Sequence, residues 1–118
     1  MDNNAHAHEA EAALARARAM LASPGPLDER RRAEALEAID ELAKALRPAI
    51  AGSPDQARSV THFAEALAHE ATRPDPQRSI LGAAVDGMNH AVERLEAQYP
   101  VGAAIVEKLS EVLAQIGI

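Results

Sequence analysis

Leu81-Gly82-Ala83-Ala84-Val85-Asp86-Gly87-Met88-Asn89-His90-Ala91-Val92-Glu93-Arg94-Leu95-Glu96-Ala97-Gln98-Tyr99 decides the fold class of this 118-residue chain. Its large apolar residues, Leu81, Val85, Met88, Val92, Leu95 and Tyr99, follow at steps of 4, 3, 4, 3 and 4. That is the period of a helix that keeps one seam turned toward a neighbour. Gly82 and Gly87 interrupt the helix at about 1 kcal/mol each relative to Ala, which predicts that another helix comes close at both positions.

Downstream, Pro100 opens a last helix with Val101, Ile105, Leu109, Val112 and Ile116 on one stripe and Val106 and Leu113 beside it, ending at Gly117. Residues 80–118 hold 15 of the 28 large apolar residues, so burial is expected to concentrate in this C-terminal αα-hairpin. Two helices cannot hide so wide a stripe on each other. A homodimer in which Ile105, Leu109, Val112 and Ile116 meet their own copy is the expectation; cover by the Phe63 helix is the alternative.

Upstream, prolines and glycines divide the chain at Ser23-Pro24-Gly25-Pro26, Gly52-Ser53-Pro54 and Arg73-Pro74-Asp75-Pro76. Asp28 is placed to cap a helix bearing Leu36, Ile39, Leu42, Leu46 and Ile50 on one face. Pro48 should kink or loosen it near Lys44 to Arg47. Ser53-Pro54-Asp55-Gln56 has the form of a capping box with Pro at the first helical position, followed by the buried face Val60, Phe63, Ala64, Leu67 and Ala71. Asp75-Pro76 repeats the cap-then-proline device ahead of the Leu81 helix. The first segment, about Ala5 to Ala22, carries only Leu14, Met20 and Leu21 as large apolar residues, with Ala10, Ala13 and Ala17 continuing the stripe.

Ala supplies 28 residues, as many as Leu, Ile, Val, Met, Phe and Tyr together. Ala is the strongest helix former and a poor core filler, so closely packed helices follow. The fold expected is all-α: one small helical bundle of four to five helices over residues 1–118, with residues 1–8 fraying.

The chain has no Cys and no Trp, one Phe and one Tyr, which removes disulfides, thiolate chemistry and aromatic base stacking. A net charge of −6 opposes phosphate backbones and anionic membranes. The chain start lacks a basic and apolar leader, and no stretch is apolar enough to span a bilayer. A cytoplasmic protein without nucleic-acid or membrane partners is expected.

Val92-Glu93-Arg94-Leu95-Glu96-Ala97-Gln98-Tyr99-Pro100, followed by Leu109-Ser110-Glu111-Val112-Leu113-Ala114-Gln115-Ile116-Gly117-Ile118, resembles the end of a family of short bacterial all-helical proteins of unknown function. Such proteins close with a Tyr-or-His-Pro corner and a tail like Leu113-Ala114-Gln115-Ile116-Gly117-Ile118 here. Leu27-Asp28-Glu29-Arg30 before a Leu-rich helix is also similar, whereas the segment around 53–78 is extra. The resemblance implies a helical fold and assigns no chemistry.

Histidine alone offers a neutral-pH ligand or base. His62, Glu65 and His69 fall on one side of a helix at offsets 0, 3 and 7, and Asp86 and His90 lie four apart on the next, so His62, Glu65, His69 and His90 are the candidate metal ligands. The competing reading is a solvated polar face, which such spacings produce by chance. His6-Ala7-His8 reads as incidental surface. Arg30-Arg31-Arg32 with Arg16 and Arg18 is interleaved with Glu29, Glu34 and Glu37 and reads as a solvated face. No phosphate loop or nucleophile motif is present. The functional expectation is a small soluble protein–protein interaction or regulatory module: self-associating, bound to a protein partner of unknown identity, not an enzyme, and needing no cofactor. The alternative is a metal-binding helical protein using the His/Glu cluster.

Overall fold

The computed structural model describes residues 2–23, 28–99, 107–109 and 111–112. Its helices there are α1 (Asp2–Ala22), α2 (Glu29–Gly52), α3 (Pro54–Ala71) and α4 (Arg78–Glu96). Residues 107–109 and 111–112 are helical as well, and no strand occurs among the described residues. The chain is a small all-α bundle. Helix α3 is central, packed on α1, α4 and α2.

Small residues set the closest of these contacts. Ala10, Ala13 and Ala17 of α1 and Ala57, Ala64, Ala68 and Ala71 of α3 are fully buried, so the two helices meet across side chains of one carbon. Leu14 and Leu21 join the same core. Helix α2 contributes Ile39, Leu42 and Leu46, and α4 contributes Leu81, Met88, Val92 and Leu95 from its heptad seam. Among the described residues the core therefore runs through all four helices rather than concentrating in α4; most of the second helix of the expected C-terminal hairpin lies outside the described residues. Ala positions give α1 a burial that a count of large side chains overlooks.

Leu109 and Val112 are 0% and 9% exposed within the single chain. Their side chains are already covered by the chain's own core, contrary to the expectation that these two positions face a second copy. Lys108 Nζ, beside them, lies 3.8 Å from Glu37 Oε1 of α2. Ile105 and Ile116 lie outside the described residues.

The helix ends separate local from long-range chemistry. Asp28 caps α2 as expected, its Oδ1 accepting from Arg31 N at 2.8 Å. Helix α2 runs on through Pro48 to Gly52. Lys44 and Pro48 are both exposed, so water can take the carbonyl that proline leaves without a donor. The capping box at Ser53 does not form, because Ser53 closes α2 and opens α3 at once. Its N–H donates to Ala49 O at 2.7 Å, and the reciprocal bond from Gln56 has no donor left. The Gln56 Oε1 is buried without a partner.

Helix α4 is capped from a distance. Its N-cap is Gln77 and not Asp75, and the Gln77 N–H donates to Glu70 Oε2 at 2.9 Å. Arg73 Nη1 donates to both oxygens of the same carboxylate at 2.9 and 3.2 Å. Glu70, only 3% exposed, thus ties the end of α3 to the start of α4. The bond from Gln77 and the Arg73 guanidinium hold its carboxyl below the ordinary value against the opposing effect of burial. A lowered folded-state pKa stabilises the fold above the ordinary value of 4.5, and that stability is lost as pH falls through the lowered value. Glu70→Gln should therefore melt below the parent at neutral pH, with the gap closing in acid because the parent carboxyl then protonates too. Thermal melts of both proteins across that range test it; a gap independent of pH would assign the loss to packing.

Tyr99 closes the described part of the seam by lying over Gly52 at the end of α2. A Cβ at Gly52 would overlap the Tyr99 phenol. The phenol is thus a corner plug laid between the end of α4 and α2, and a side chain at Gly52 would have to displace its hydroxyl end.

Candidate functional site

Three of the four candidate metal residues share one surface. His62, Glu65 and His69 of α3, with Ala66 and Glu70, line an open groove of about 380 Å3 that Met20 of α1 and Ile80 of α4 complete. His90 is not part of it; it lies on α4, 80% exposed, with Nδ1 3.8 Å from Glu93 Oε2.

The two carboxylates of the rim and His62 are already paired. Arg16 Nε donates to Glu65 Oε2 at 2.7 Å and its Nη2 to Glu65 Oε1 at 3.0 Å, a fork on both carboxylate oxygens. The same Nη2 donates to Glu9 Oε1 at 2.7 Å, and His62 Nε2 lies 3.2 Å from that oxygen. Arg16 is held protonated well above its ordinary range, first by Glu65 and then by Glu9. Glu9 is pushed down, first by Arg16 and then by His62. A guanidinium therefore sits where a cation would have to bind Glu65, and among the described residues no group of three or more His, Cys, Asp or Glu side chains is arranged to hold a metal ion. The network is exposed and screened, so its main effect is to fix α1 in register on α3. Arg18, forked on Asp40 at 2.9 and 3.2 Å, does the same between α1 and α2.

The apolar part of the groove lay outside the sequence expectations. Ile80 is 42% exposed and is the large hydrophobic residue left open among the described residues. Its neighbour Leu81 belongs to the seam, and a residue one step off a heptad seam points away from it; that offset was the available signal. The Gln77–Glu70 bond and the Arg16–Glu65 fork had no local signal, since each joins one helix to the start or face of another. No described helix is long and apolar enough to cross a membrane.

Comparison of the chain with protein-family models, with curated proteins and with solved structures returned no match.

Proposed function

We propose that this chain is a small helical protein–protein interaction or regulatory module that acts by binding rather than catalysis and associates with itself through the α1–α3–α4 groove. The observation that carries this reading is Ile80, a large exposed side chain on the wall of an open groove that Met20 and Ala66 make partly apolar. The surface holds both a knob and a hole. A twofold arrangement seats each Ile80 in the groove of the other copy, the self-complementary contact that such symmetry requires.

Each protomer carries −6, and like charge opposes association until salt screens it. Added salt should therefore strengthen the dimer. Sedimentation equilibrium at micromolar concentration tests the reading. The expected mass is about twice 12.5 kDa at moderate salt, falling to the single-chain mass in Ile80→Glu with helicity unchanged. A single-chain mass throughout overturns self-association, and a dimer that survives Ile80→Glu overturns the groove as its interface.

A further inference from the structure

The groove holds two histidines, and the charges around them are balanced differently. His62 faces Glu9 of α1, with Nε2 3.2 Å from Glu9 Oε1. Glu9 and Glu65 share one guanidinium, that of Arg16, so this cluster carries one negative charge more than positive. A proton on His62 therefore meets a carboxylate with charge to spare.

His69, further along α3, has no such partner. It is exposed and lines the same groove, and its ring makes no hydrogen bond or ion pair among the described residues. Of the carboxylates on its side of α3, Glu65 has Arg16 on both oxygens. Glu70 has Arg73 on both oxygens and the Gln77 N–H on one. The Glu70 carboxyl is held low first by Gln77, then by Arg73, and only last by His69. From the other helices the groove receives Met20 of α1 and Ile80 of α4, both apolar, and the charged residues Arg73, Asp75 and Arg78 between α3 and α4 do not line it. A positive charge on His69 is thus left to water.

We infer that His69 makes the groove contact pH-sensitive: a second copy covers its neutral ring and is released by its protonated ring. This rests on self-association through the groove. Seating Ile80 of the second copy there strips water from the imidazole. A neutral ring tolerates apolar cover, whereas an imidazolium without a counter-charge loses its hydration and gains nothing in return. Histidine changes charge between about pH 5 and 8. The dimer therefore binds fewer protons at this position than two free chains do, and by linkage association weakens as pH falls. Net charge predicts the reverse. Protonating the five histidines reduces the −6 on each chain, which eases repulsion and would tighten the dimer.

The test is sedimentation equilibrium of the full chain in moderate salt at about pH 7.5 and about pH 5.5, with circular dichroism to confirm that helicity is kept at both. The dissociation constant of the parent should rise about tenfold or more on acidification. Each variant is read by the ratio of its own constants at the two pH values. His69→Gln should lose the rise, and His62→Gln should keep it, because Glu9 takes the charge there. His69→Lys fixes the charge and should be weak at both. A single-chain mass for the parent at the higher pH overturns the groove reading, and this inference with it. A parent dimer that holds or tightens in acid leaves that reading standing and overturns the inference alone. So do a rise that survives in His69→Gln or vanishes in His62→Gln, and a His69→Lys dimer as tight as that of the parent at the higher pH.

Discussion

Leu42→Ala in α2 and Leu95→Ala in α4 should lose comparable stability, about 2–5 kcal/mol each, although the two residues come from halves of the chain with very different apolar content. Both side chains are fully buried in one continuous core. Each truncation removes the transfer energy of the lost carbons and leaves a cavity that helices held by neighbours on several sides close only in part. Leu21→Ala, at the fully buried end of α1, belongs with them. Ile80→Ala, at an exposed position, should change stability by no more than about 0.5 kcal/mol. A domain of this kind has about 5–15 kcal/mol in total, so the first three variants will show clear shifts of the urea midpoint. A large loss for Leu95→Ala beside near-neutral Leu42→Ala and Leu21→Ala would restore a core concentrated in the C-terminal helices.

That comparison turns on what a sequence pattern registers. The heptad seam of α4 and the Asp28 cap were legible because both are local: periodicity and an accepting side chain three residues from its backbone donor need no knowledge of the rest of the fold. The weight of α1 in the core was not legible, because Ala10, Ala13 and Ala17 look like helix filler until a second Ala-rich helix is laid against them. The same limit governs the ends. Ser53 has the residues of a capping box, but whether its N–H is free depends on how the previous helix finishes. Asp75-Pro76 has the residues of a cap, but Glu70, folded back over seven positions, performs it for Gln77. At the groove, the spacing of His62, Glu65 and His69 placed them correctly on one side of α3. It could not show that Arg16 arrives from α1 to engage Glu65, and that arrival turns a candidate ligand set into a helix clasp.

The two glycines of α4 should respond to the same substitution with opposite signs. Both lie inside the helix, so Ala at either position adds the same backbone preference, about 1 kcal/mol. Their surroundings differ. Around Gly82 a Cβ would meet nothing within 4 Å, whereas at Gly87 it would run into the ring of Phe63, with Cδ1 and Cζ both 2.6 Å away. The expected close approach is therefore present at Gly87 alone, and it is made by an aromatic ring of α3 rather than by backbone. The Phe63 ring is rigid and packs against the core, so making room means swinging it off α4 or pushing the helices apart. Overpacking of this kind costs about 1–3 kcal/mol. Because the helix preference cancels between the two variants, Gly82→Ala should exceed Gly87→Ala in stability by about that amount, with Gly82→Ala above the parent. Phe63→Leu supplies the decisive control, since neighbouring residues couple and distant ones add. In that background the deficit of Gly87→Ala should shrink while the gain from Gly82→Ala stays as it was. Equal gains at both positions in the parent background would mean that the Phe63 ring does not rest on Gly87, and that α3 and α4 are held apart by something other than this contact.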